Sequence, residues 1–180
     1  PNPASKVGKY PHQEIGKIKF PFSIKKVVIK NGMVAYKEKS AETKQTGTVF
    51  FTNINGTIDN ATNIADFISK NNLLLLDATA SFMGISKIHT EWKLPLNTRN
   101  GAFEVTGCDG GFDETKLNPL IEPLGMASIK TGKVNKLTFE MTGTDLVTKG
   151  SATILYDNLK IEVLKKDSND VKRKGLQTLL

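Results

Sequence analysis

The chain has 180 residues, a formal net charge of +7 and 38% hydrophobic residues, enough for one domain with a core and too regularly patterned for a disordered segment. Of its 25 basic side chains only Arg99 and Arg173 are arginines, and the lysines are spread along the chain. That counts against phosphate or base recognition, where the planar guanidinium fork is favoured, and nucleic acid is not an expected partner.

Residues 1–17 are polar and punctuated by proline, and are expected to be a flexible lead-in. From Ile18 the period becomes two, with Ile18, Phe20, Phe22 and Ile24 alternating with Lys19, Ser23 and Lys25. This predicts a half-buried strand, and Pro21 points to a sheet edge. Val27 to Lys30 then meets Asn31-Gly32, the dipeptide best suited to a two-residue hairpin turn, and Met33 to Tyr36 leads back. A charged loop follows to Gly47, then strand character from Thr48 to Ile58 that Gly56 interrupts. Ile64, Phe67 and Ile68 stand at helical spacing and predict a short helix.

Leu74, Leu76, Ala78, Ala80 and Phe82 alternate with Leu75, Asp77, Thr79 and Ser81, and Ile88, Thr90, Trp92, Leu94 and Leu96 with His89, Glu91 and Lys93, so two antiparallel strands are expected around Met83-Gly84. Phe103 and Val105 continue the set. Between Asp113 and Leu124 a short capping helix is predicted, with Asp113 as N-cap and Pro119 and Pro123 limiting its length. Leu137, Phe139 and Met141 open a terminal meander in which Asp157-Asn158 is expected to turn into Leu159, Ile161 and Val163. The expected architecture is mainly β: a long, twisted or curved antiparallel sheet, as a groove or open sandwich, with one or two short helices. The β-rich domain is placed at 18–165, and 166–180 is a charged C-terminal segment expected to end the sheet.

Two segments recur. Ile29-Lys30-Asn31-Gly32-Met33-Val34 returns as Ile129-Lys130-Thr131-Gly132-Lys133-Val134, and Phe103-Glu104-Val105-Thr106-Gly107 returns as Phe139-Glu140-Met141-Thr142-Gly143. Reuse of amphipathic β segments favours a long sheet surface over a single catalytic pocket.

Residues able to do chemistry are few. His12 falls in the lead-in and His89 on the polar face of a strand, so neither an acid–base pair nor a histidine metal site is expected. Cys108 is the sole cysteine; it has no partner for a disulfide and no neighbouring base in sequence, and reads as an inert thiol. Asp109, Asp113 and Glu114 surround two glycines, but at a spacing unlike an EF-hand, and turn and cap roles account for them. Asn55-Gly56-Thr57 and Asn60-Ala61-Thr62 match the glycosylation sequon. No enzyme activity, cofactor or metal is expected. No run approaches the ~18 apolar residues of a membrane span.

Val27 to Glu38, the stretch from Thr52 to Asn60, and above all Gly101 to Val134 with Phe112-Asp113-Glu114-Thr115-Lys116-Leu117-Asn118-Pro119-Leu120 followed by Ser128-Ile129-Lys130-Thr131-Gly132, give the chain a likeness over residues 18–165. It resembles the C-terminal region of AsmA-like envelope proteins, the repeating-β-groove proteins related to TamB. The resemblance implies a periplasmic protein tethered to the inner membrane by an N-terminal anchor. It also implies a concave apolar sheet face that holds phospholipid or other envelope-lipid chains, and neighbouring β repeats in the same chain as partners. The chain begins at Pro1 and ends at Leu179-Leu180, and a boundary inside a longer protein is expected.

The expected lipid-facing residues are Phe20, Phe22, Phe82, Trp92, Leu94, Phe103, Phe139, Met141 and Ile161. Against this stands an ordinary core between two packed sheets, with a structural or protein-binding role and no lipid site.

Overall fold

The structure, a computed structural model, describes residues 7–167 and 170–173 and the side chains of 7–164. Nine strand segments and three short α-helices follow one another as α1 (Pro11–Lys17), β1 (Ser23–Lys39), β2 (Thr46–Thr62), α2 (Ala65–Lys70), β3 (Leu73–Phe82), β4 (Ser86–Pro95), β5 (Phe103–Asp109), β6 (Phe112–Asp113), α3 (Asn118–Gly125), β7 (Ala127–Gly143), β8 (Thr148–Asp167) and β9 (Asp170–Arg173). A 3-10 turn, Glu114–Leu117, joins β6 to α3. The strands form one open antiparallel sheet in the order β1-β2-β3-β4-β5-β7-β8-β9, and the two-residue β6 continues β5 along β7. No second sheet lies over it among the described residues, so the expected mainly β architecture takes its open form.

Helices α2 and α3 form where the apolar spacing predicts. In the 3-10 turn the Asp113 carboxylate accepts the Thr115 amide at 3.0 Å and the Thr115 hydroxyl at 2.6 Å, which caps the turn and holds that carboxyl below the usual aspartate range. β3 and β4 pair from Leu73↔Pro95 to Phe82↔Ser86 around Met83, Gly84 and Ile85. Met83 and Gly84 both take the left-handed backbone that so tight a reversal requires.

Two expected turns are bulges instead. Asn31 adopts a left-handed backbone, φ 52°, yet β1 runs unbroken through it for 17 residues and only its register against β2 shifts, on either side of Gly32. The same holds for Asn158, φ 52°, inside the 20-residue β8. In both, the left-handed residue absorbs one extra residue into a strand rather than reversing it. The recurring Ile-Lys-Asn/Thr-Gly segment therefore encodes a bulge: β7, also 17 residues long, shifts register against β8 on either side of Thr131.

Three further expectations change. Ile18 to Phe22 is not strand, because the chain there is tied by side chains instead of a ladder: Asn63 accepts the Phe22 amide at 2.9 Å and donates to the Ile18 and Phe20 carbonyls at 2.9 and 2.8 Å. Within the lead-in, residues 11–17 form α1, docked on the sheet through Ile15. The sheet does not end at Lys165: β8 extends to Asp167 and pairs with β9. The remainder of the 166–180 segment, and residues 1–6, lie outside the described residues.

The other repeat is explained by pairing. Phe103 lies opposite Gly143 and Phe139 opposite Gly107, with Val105 opposite Met141 between them. Each phenyl ring therefore covers the partner strand's glycine: a Cβ on Gly107 would stand 2.6 Å from Phe139 Cε1, and one on Gly143 2.5 Å from Phe103 Cζ. Glycine supplies the space and the ring restores the burial the glycine lacks. Val105 at the centre is 1% exposed.

Candidate functional site: an apolar trough and a polar outer face

Register sorts the side chains onto two faces. The even residues of β3 and β4 lie with the odd residues of β5 and β7, which brings Phe82, Trp92, Leu94, Phe103, Phe139 and Met141 to one face. Phe22 packs against the edge of that set, at the cluster of Ala61, Leu74 and Leu94. Phe20 stands off the sheet at 67% exposure, because it precedes β1 in the tethered segment. Ile161 lies in β8 opposite the buried Ile129.

The face is bridged twice. Ile15 of α1 packs on the Ala61, Leu74 and Leu94 cluster, and Tyr10 meets Phe103 edge-on with centroids 5.6 Å apart. Beyond β5, Asp145 in the β7–β8 loop accepts the Gly8 amide at 3.1 Å and the Gln13 side chain at 2.9 Å. At the other end, Leu124 of α3 covers Gly47 in β2, while Glu122 accepts the Ser128 hydroxyl of β7 at 2.6 Å. Asn118 replaces a missing strand partner of β7, donating to the Ile129 carbonyl at 2.8 Å and accepting its amide at 2.7 Å. β2 and β7 are four strand steps apart, roughly 19 Å across a flat sheet at about 4.8 Å per step. A helix about 10–12 Å across with its side chains touches both, so the sheet is curled into a trough.

Between and beyond the bridges the apolar floor is only partly covered. Trp92 and Phe103 pack with centroids 6.2 Å apart beside α1. Phe51, Phe82 and Phe112 form a second row, at 5.5 and 6.3 Å. Phe139 and Met141 are half-buried, and the floor continues to Ile154, opposite Leu137 and 48% exposed. Leu94, at 7%, is sealed beneath α1. Phe51 and Phe112 of the second row, and the covering Tyr10 and Ile15, are not legible in the sequence: Val49-Phe50-Phe51 is a run of apolar residues that does not say which one faces the trough, and the role of Tyr10 depends on how α1 docks.

His12 is not in a loose segment: it is 2% exposed, stacked on Tyr10 at 6.0 Å. Burial pushes its pKa down, with the Asp145 charge acting the other way. Asp109 accepts the Gly111 amide at 2.8 Å and the Ser86 hydroxyl, a turn role. Glu114 is 5% exposed and one carboxyl oxygen lacks a hydrogen-bond partner, directly over Gly132, where any side chain would collide with it. Burial, then the Asp113 charge, pushes its pKa up.

The opposite face is polar. A shallow depression of about 380 Å³ on the sheet is lined by Glu104, Thr106, Glu140, Lys149 and Ser151 among others. His89 lies on this face, its Nε2 3.1 Å from Asp77 Oδ1. No described helix is long and apolar enough to cross a membrane. Comparison with protein-family models, with curated proteins and with solved structures found no match in any of the three.

Proposed function

We propose that the trough is a non-enzymatic lipid-handling surface that receives acyl chains of a phospholipid or a related envelope lipid, in a periplasmic protein anchored to the inner membrane and continued by further β repeats. The observation that carries this reading is the apolar floor, which runs from Phe51 and Phe82 past Phe139 and Met141 to the exposed Ile154 and which, among the described residues, is bridged by two short helices. Ten methylenes laid on such a floor contribute about 8 kcal/mol, against about 4–15 kcal/mol lost on association. One acyl chain is therefore held weakly and reversibly, which suits passage better than storage.

A second reading is favoured by the sheet's edges. Among the described residues β1 pairs on one side only, and no strand pairs with β8 outward of residues 148–163; such edges can dock a neighbouring strand. Native mass spectrometry with lipid extraction, on protein purified from a bacterial host, separates the two. The lipid reading expects co-purified phospholipid that is lost in Phe139→Glu with the fold intact by circular dichroism. A clean apo mass after incubation with phospholipid vesicles would overturn it in favour of a protein-docking domain.

A further inference from the structure

The polar outer face carries a convergence of metal-ligating side chains that the trough does not use. Asp77 of β3 stands directly opposite Glu91 of β4, and His89 lies two residues along β4 on the same face. One donor atom from each of the three lies within 4.8 Å of the other two, and the His89–Asp77 pair is already at 3.1 Å. Two carboxylates directly opposite each other across a strand pair are destabilising unless something positive lies between them. Lys93, two residues beyond Glu91 on the same face, is paired with Glu104 at 3.7 Å.

We propose that Asp77, His89 and Glu91 form a binding site for a divalent transition-metal ion of the zinc class. One imidazole with two carboxylates is a donor set that favours zinc or its neighbours over calcium and magnesium, which take oxygen ligands almost exclusively. A zinc ion bonded at about 2.0–2.2 Å to its ligands separates them by about 3.4 Å in a tetrahedron. The present separations reach that by rotation of three surface side chains, and the rigid β3–β4 pairing holds their backbones in place. The remaining coordination position faces solvent, open to water or to a ligand group from a partner.

The exposed Cys108 lies opposite His89 on β5 and supplies the control, since a lone thiol can bind zinc by itself. Isothermal titration of the full chain with zinc chloride, in the presence of excess magnesium, is expected to show one ion per chain. His89→Ala, Asp77→Asn and Glu91→Gln should each weaken binding about tenfold or more, while Cys108→Ser retains it. Thermal melting gives an independent readout. Without metal, Asp77→Asn is expected to raise the midpoint by relieving the opposed charges; with zinc, the wild-type and Cys108→Ser proteins gain more stability than the three ligand variants. No zinc binding under these conditions, binding indifferent to the three substitutions, or binding lost in Cys108→Ser would each overturn the proposal, as would a lowered metal-free midpoint in Asp77→Asn.

Discussion

Glu114 shows how one buried carboxyl can be read both in the backbone around it and in the pH dependence of the whole domain. It is 5% exposed, with one oxygen unpartnered, and fits only because position 132 is glycine. Its pKa is raised in the folded chain, so the native state binds the proton more tightly than the unfolded one. The carboxyl therefore contributes most below the ordinary glutamate range of about 4.3, and that contribution is lost as pH rises through the raised value. Glu114→Gln is expected to raise the thermal midpoint at pH 7 and to leave it unchanged near pH 3.5, measured by circular dichroism. Neither the burial nor the missing partner was legible in the sequence, which shows Glu114 as one acid beside an N-cap; its position over Gly132 depends on a bulge in β7, far along the chain.

At the scale of elements, the Phe-to-Gly pairing of β5 with β7 holds the middle of the sheet. Gly107→Val places a branched side chain where the Phe139 ring lies, with Cε1 only 2.6 Å from the Cβ position. It is expected to destabilise the fold by about 1–3 kcal/mol, as overpacking does. Combining it with Phe139→Ala in a urea-unfolding double-mutant cycle should recover part of that loss, because the clash disappears with the ring. Both members of the pair stood in the sequence as a repeat, but a repeat does not say that its copies face each other. The alternation in β3 and β4 was legible down to the loop residues because both strands have one apolar face. Asn31-Gly32 and Asp157-Asn158 misled for the converse reason: a left-handed asparagine serves a hairpin and a bulge equally, and the dipeptide records the dihedral angle without the direction of the chain beyond it. The convergence of His89 with Asp77 and Glu91 follows from the β3–β4 register, which the alternation predicts, but it joins residues on two strands that no motif spacing marks.

For the molecule as a whole, the exposed rims govern what happens in solution. β1 carries Lys25, Lys26, Lys30, Lys37 and Lys39 along its length and a bulge at its centre, both of which discourage edge pairing. β8 is less guarded: Ser151 to Tyr156 has no charge, and Ile154, Leu155 and Tyr156 are 48, 55 and 53% exposed. Self-association through this run is expected at high protein concentration. Leu155→Lys should suppress it in sedimentation velocity without changing the melting midpoint by more than about the 0.5 kcal/mol typical of a surface substitution.

Strand order follows chain order across this sheet, so β1 and β9 occupy opposite rims. Tension applied between those rims pulls across the hydrogen-bond ladders and along the direction of the bonds themselves. Each ladder is then peeled one rung at a time, unlike a sheared pair in which every rung resists together. Under load the sheet gives way strand by strand from its margins inward, until it meets α1, which links the β2–β4 wall to the β7–β8 loop, and α3, which links β2 to β7, and these ties arrest the unzipping.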